Sequence, residues 1–342
     1  MKPAVRVLSL LLLLSFLIPL LAACNPIEAV RDFFEKPPEL LYELLPDGTY
    51  AVVGAERYVK ATSLTVPAEH EGVAVTAIAP EAFKGGVRLR EILLPDTVVH
   101  IGGSAFEGCV ALGSIALPSG VTAIGDSAFA GCVALGEVTL SSSLREIGGS
   151  AFAGCVTLGS IALPDGLLRI GSSAFAGCVA MTSLTLPDSL ESLGGSAFSG
   201  CVALGSVTLG RSLRAIGDGA FAGCLYLPSV TVPDSVETIG TSAFSGCIRL
   251  TGVTLGRSVK SIGDCAFLSC ERITTVRIPA SVERIGTSAF SGCTAFISAD
   301  FEVTEGWYAG ENPLPATDLA SPTAAAMYLK QTCAYYTWTR RP

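Results

Sequence analysis

Phenylalanines at 83, 106, 129, 152, 175, 198, 221, 244, 267 and 290 stand 23 residues apart at every interval, and alanine precedes each one. A fixed period in the low twenties, held without insertion, leaves one class of fold: coils stacked into a solenoid, each touching its neighbours. The shared template is roughly I-G-x-S-A-F-x-G-C-x-x-L-x-x-V-x-L-P-x-x-V-x-x. One coil buries too few large side chains to offset the entropy of ordering its backbone, so stability must come from stacking.

The template assigns a role to each position. Around Phe175, the segment Leu184-Thr185-Leu186 alternates inward and outward and is closed by Pro187, which has no N–H to give a ladder. It reads as a short strand, and ten such strands at ~4.8 Å spacing make one parallel sheet. Ser173 stands where a helical turn begins and is expected to cap it; Gly177 suits the left-handed conformation that ends such a turn. Ile170, Ala174, Phe175, Cys178, Met181, Leu184, Leu186 and Leu190 are expected to point inward.

The ends follow other rules. Lys2 and Arg6 precede an almost wholly aliphatic run, Val7 to Ala23, which has the parts of a secretory signal. Its ending, Leu21-Ala22-Ala23-Cys24, resembles the lipobox of bacterial lipoproteins. That resemblance implies cleavage before Cys24 and a diacylglycerol on its thiol, hence export and a lipid anchor in the membrane. Residues 24–41 read as a tether, with Pro37-Pro38 and an amphipathic stretch around Val30, Phe33 and Phe34. Asp47-Gly48 between Tyr42-Glu43-Leu44 and Tyr50-Ala51-Val52 reads as a hairpin turn within an N-terminal cap and first coil, 42–78. The solenoid proper is 79–301, and 302–342 a C-terminal cap. There, Pro322 at a first turn opens a helix running to Cys333, whose Ala325, Tyr328 and Leu329 cover the last coil.

The coil resembles the leucine-rich repeats of the BspA-like bacterial surface proteins, and "IGGSAFEGCVALGSIALPSGV" at 101–121 is close to their consensus. The resemblance spans about 42 to 301; the first coil departs from it, with five extra residues before Phe83 and Gly86 in place of the column cysteine. It implies an α/β-type leucine-rich repeat solenoid with a parallel β-sheet of about ten 23-residue coils, a β-hairpin N-cap and a helical C-cap. It also implies a non-catalytic module for interaction or adhesion, whose partner is a host protein or another cell-surface protein.

The search for chemistry finds little. With 22 Lys and Arg against 30 Asp and Glu, an acidic, charge-poor chain has no grip on a phosphate backbone, so nucleic acid is not a partner. Cys109, Cys132, Cys155, Cys178, Cys201, Cys224, Cys247, Cys270 and Cys293 share one template position and read as an internal column of free thiols. Cys265 and Cys270 lack metal-ligand spacing, and no metal or other cofactor is expected. His100 and His70 read as surface residues, and the chain carries no nucleophile, phosphate-loop or zinc motif, so no enzyme is expected.

The expected site is the outward row of the strands, at eight and ten residues beyond each Phe, on the concave face usual for such solenoids. Its middle is an array of small hydroxyls, Thr139, Ser183, Thr185, Ser206, Thr208, Ser229, Thr231 and Thr254, with Glu137 at its edge. A flat, uncrowded row of this kind suits an extended protein segment held by many weak hydrogen bonds. The other reading is carbohydrate binding or a passive envelope scaffold; aromatic platforms for sugars are nearly absent from the repeats, Tyr226 being the exception.

Overall fold

The computed structural model describes residues 39–55 and 62–341. The expected signal sequence, Cys24 and most of the expected tether lie outside the described residues. The repeats form a parallel-strand solenoid of about eleven coils of roughly 23 residues. Ile170, Ala174, Phe175, Cys178, Met181, Leu184, Leu186 and Leu190 all point inward, none more than 3% exposed. The column phenylalanines stack ring on ring from Phe83 to Phe290, with centroids 5.1 to 5.6 Å apart.

Two rows of short strands run along the coils, where one was expected. The expected row carries three-residue strands such as Ser183–Thr185 and Ser206–Thr208. It is not one ten-stranded sheet: it breaks into separate two- and four-stranded pieces, and residues 160–162 form no strand. The continuous ladder is the second row, of two-residue strands such as Glu146–Ile147 and Arg169–Ile170, paired coil to coil. Glycine explains its continuity. A Cβ at Gly171 would collide with the backbone of Gly148 and Gly149 one coil back, so the Ile-Gly step lets coils close tightly. The Gly171 N–H then donates to the Ile147 carbonyl at 2.8 Å.

The turn through Ala174 and Phe175 also differs from expectation. No helix forms there, and Ser173 is not a cap: it sits at φ 57, in the left-handed region, as do its equivalents Ser104, Ser150, Ser196 and Cys265. The reason lies in where the donors go. Alternate N–H groups leave the turn for the next coil, Ser173 to the Gly195 carbonyl (2.8 Å), Phe175 to Ala197 (2.7 Å) and Gly177 to Ser199 (2.8 Å). Those between them close tight turns within the coil, as Cys178 does on Phe175 at 3.2 Å. An α-helix would keep all of these donors for itself and leave the coils unjoined at this turn. Gly177, at φ 73, takes the left-handed role expected of it.

Both ends are closed. The hairpin Leu40–Leu44 and Tyr50–Ala55 turns at Asp47-Gly48 and leads, through Val73–Ile78, into the continuous ladder. His70 is not a plain surface residue. It is half-buried, stacked on Tyr42 at 3.8 Å between centroids and edge-on to Tyr50 at 4.9 Å. At the other end, helix Pro322–Met327 and the π-helical turn Tyr328–Thr332 bury Ala325, Ala326 and Leu329. Two buried tryptophans complete that cap: Trp307 donates to the Val303 carbonyl and Trp338 to that of Cys333.

Candidate interaction face

The outward row stands clear of the core because the strands alternate. Leu184 is buried between exposed Ser183 and Thr185, and Val230 between exposed Ser229 and Thr231. Glu137, Thr139, Ser206, Thr208 and Thr254 are exposed as well. All nine expected site residues therefore reach solvent, but they do not form one even array. Ser183 and Thr185 pair in register with Ser206 and Thr208. Ser229 and Thr231 pair with Gly252 and Thr254. Glu137 and Thr139 belong to a third piece, with Ser114 and Ala116.

Clefts open between some of the coils, two of them where the ladder breaks and a third beside the paired strands Gly252–Thr254 and Thr275–Ile278. Between Thr208 and Thr231 lies one of about 570 Å³, walled by Leu209, Arg211, Pro233, Asp234 and Ser235. Another, of about 340 Å³, lies beside Ser183 and Thr185 against Ser160 and Asp165. A third, also about 340 Å³, is walled by Thr254, Arg257, Arg277 and Glu302, where Arg277 meets Glu302 at 3.0 Å.

The first and third clefts share a cause that sequence reasoning missed. Two coils carry Gly-Arg where the coil before each carries Pro-Asp: Gly210-Arg211 follows Pro187-Asp188, and Gly256-Arg257 follows Pro233-Asp234. A Cβ at Gly210 would strike the Pro187 carbonyl oxygen, and one at Gly256 that of Pro233. Asp188 Oδ1 accepts the Arg211 N–H at 3.0 Å, and Asp234 Oδ1 the Arg257 N–H at 2.8 Å. Each glycine coil is thus drawn onto the proline coil before it, leaving a gap to the one after. The signal was present as an alternation of Pro and Gly at one template position.

The cysteines contribute no chemistry to this face. All nine of the column are buried thiols, each donating its S–H to a phenylalanine carbonyl, as Cys178 does to Phe152 at 3.3 Å. Burial pushes Cys109 up to about 11 and Cys155 and Cys201 to about 12, so the nucleophilic thiolate is suppressed. Among the described residues no group of three or more His, Cys, Asp and Glu side chains is placed to hold a metal ion.

A family model described as the BspA type leucine rich repeat region matches residues 58–182 and 168–297, in six copies. No curated protein matches the chain. Among solved structures, a leucine-rich repeat protein from Bacteroides ovatus is 26% identical with a TM-score of 0.61, covering 77% of this chain and 70% of its own. A leucine rich cell surface protein from Faecalibacterium prausnitzii is 26% identical with a TM-score of 0.44, covering 78% and 94%.

Proposed function

Because the chain belongs to the BspA-type leucine-rich repeat proteins, we propose that it is a non-catalytic protein-interaction module, exported and held at a membrane by a lipid on Cys24. The outward hydroxyl row is its binding face, and an extended segment of another cell-surface or host protein is its partner. The observation that carries this reading is the exposed Ser-Thr pairs, Ser183 and Thr185 beside Ser206 and Thr208, interrupted by clefts. An extended chain lays side chains into such gaps while its backbone meets the hydroxyls. The face has few charges, so affinity is modest and changes little with salt. The anchor rests on the Leu21-Ala22-Ala23-Cys24 sequence.

Two experiments test this. A protein and glycan array is probed with soluble chain beginning at residue 25, beside the variant Thr185→Lys, Thr208→Lys and Thr231→Lys. Protein capture that the triple change abolishes supports the reading; capture that survives it, or capture of glycans alone, overturns it. Separately, the intact mass of the mature protein should show an acylated Cys24 at the N-terminus, absent from Cys24→Ala. An unmodified N-terminus elsewhere refutes the anchor.

A further inference from the structure

A second column, away from the hydroxyl row, is apolar where solvent would favour polar side chains. The residue four positions beyond each Phe is aliphatic in eight successive coils, from Val87 through Val110 and Val179 to Ile248. Val87, Val110, Val133, Val156, Val179 and Ile248 are each between 37 and 51% exposed. The next position adds Ala111, Ala134, Ala180 and Ala203. Backbone bonds stack the column coil on coil: the Ala203 N–H donates to the Val179 carbonyl and the Tyr226 N–H to that of Val202, both at 3.2 Å. In these two positions no charge occurs between Arg88 at one end and Arg249 at the other. Arg272 follows, beside Glu271. All three arginines are exposed and form no ion pair among the described residues, although Arg249 lies over the Tyr226 ring at 3.9 Å.

We propose that this strip docks an amphipathic α-helix of a partner protein, laid along the row of coils, with acidic residues at both its ends. Period is the first argument. Coils joined by backbone bonds stand ~4.8 Å apart, and an α-helix advances about 5.4 Å per turn. A helix therefore sets close to one apolar side chain against each coil, drifting by about 0.6 Å per coil where a strand drifts by about 2 Å. From Val87 to Ile248 this is roughly 34 Å, or about 22 helical residues. A β-strand, repeating on one face every ~6.8 Å, drifts out of register within a few coils. Charge is the second argument: arginine at both ends calls for carboxylates at both ends of the partner. It also disfavours a second copy of this chain, because two-fold packing of the strip on itself sets Arg88 against Arg249.

The probe is a 22-residue synthetic helix with one leucine per turn on one face and glutamates at both ends. It is compared with the same helix ended by lysines and with an isomer whose leucines alternate as in a strand. Binding to the full chain is read by fluorescence anisotropy. The glutamate-ended helix should bind at least ten-fold more tightly than either of the others. The double variant Val133→Glu, Val179→Glu should weaken it at least ten-fold with an unchanged melting curve; Glu271 already occupies that template position. Substituting Thr185, Thr208 and Thr231 by Lys should leave this binding unchanged, which separates the strip from the hydroxyl row. Equal binding of the three peptides to the native chain overturns the proposal, as does full binding by the folded valine variant. Self-association of the chain that Val179→Glu abolishes would also overturn it, in favour of a second copy.

Discussion

Raising the pH through the thiol range acts on the nine column cysteines together, because burial makes each one hold its proton far above the ordinary value of 9.0. Cys109 is pushed up to about 11, Cys155, Cys201, Cys247 and Cys293 to about 12, and the other four higher still. In the unfolded chain all nine ionise near the ordinary value. Between about 9 and 11 the folded state therefore binds more protons than the unfolded one, and stability must fall as pH rises. The contribution is complete below pH 9, declines through this window, and stops declining only once the folded thiols titrate. Each thiol is worth about 1.4 kcal/mol per pH unit, so nine withdraw about 12 kcal/mol per unit. That matches the whole stability of an ordinary domain, about 5–15 kcal/mol. Urea unfolding followed by circular dichroism at pH 8, 9 and 10, with reductant present, gives the number of protons released. The triple variant Cys132→Ala, Cys178→Ala, Cys224→Ala should release about three fewer per molecule. A release of two protons or fewer by the parent, or the same slope in parent and variant, would refute the reasoning.

Three substitutions probe the packing. Phe175→Ala should cost ~3–5 kcal/mol in chemical denaturation, since the ring lies between Phe152 and Phe198 at 5.2 and 5.1 Å and its loss leaves a cavity. Ser173→Gly should be neutral or raise stability by up to about 1 kcal/mol, because a non-glycine residue pays to hold a left-handed backbone; Gly219 already fills that place at φ 61. A loss above about 1 kcal/mol would mean the serine side chain contributes after all. Gly210→Ala should destabilise by about 1–3 kcal/mol through collision with the Pro187 carbonyl, and an unchanged denaturation midpoint would show that the coils are not held that closely.

What could be read from the sequence is whatever a single coil states by itself. Phe175, Cys178 and Leu184 point inward because large or apolar residues recur at their positions, and the Asp47-Gly48 hairpin is a local signal. The second row of strands was hidden because two residues, such as exposed Glu146 and buried Ile147, are too few to show a period of two. Ser173 was misread because Ser before Ala-Phe looks like a cap; its N–H partner, Gly195, lies 22 residues away. The clefts needed two coils read against each other, since Gly210 makes sense only beside Pro187. The outward orientation of Thr185 and Thr208 was legible, whereas the break between Thr208 and Thr231 was not.

The backbone N–H bonds that Ser173, Phe175, Gly177 and their equivalents make to other coils run one way. From Glu81 to Gly103, through Ser173 to Gly195, and on to Cys265 and Thr287, the donor is always in the earlier coil and the acceptor in the later one. At this turn every coil thus offers acceptors to the coil before it and donors to the coil after it, and the two ends of the stack are not interchangeable there. At the far end the terminal cap answers in kind, with the Ala334 carbonyl taking the Ser288 N–H. Such a chain can be lengthened or shortened in its middle by whole coils without either cap meeting a new surface. Where Pro-Asp and Gly-Arg coils alternate, the natural unit of gain or loss is two coils, or 46 residues, the separation of Gly210 and Gly256. Copying a glycine coil alone there would set two glycine coils side by side and remove the carboxylate that holds one of them, so its duplication favours the pair.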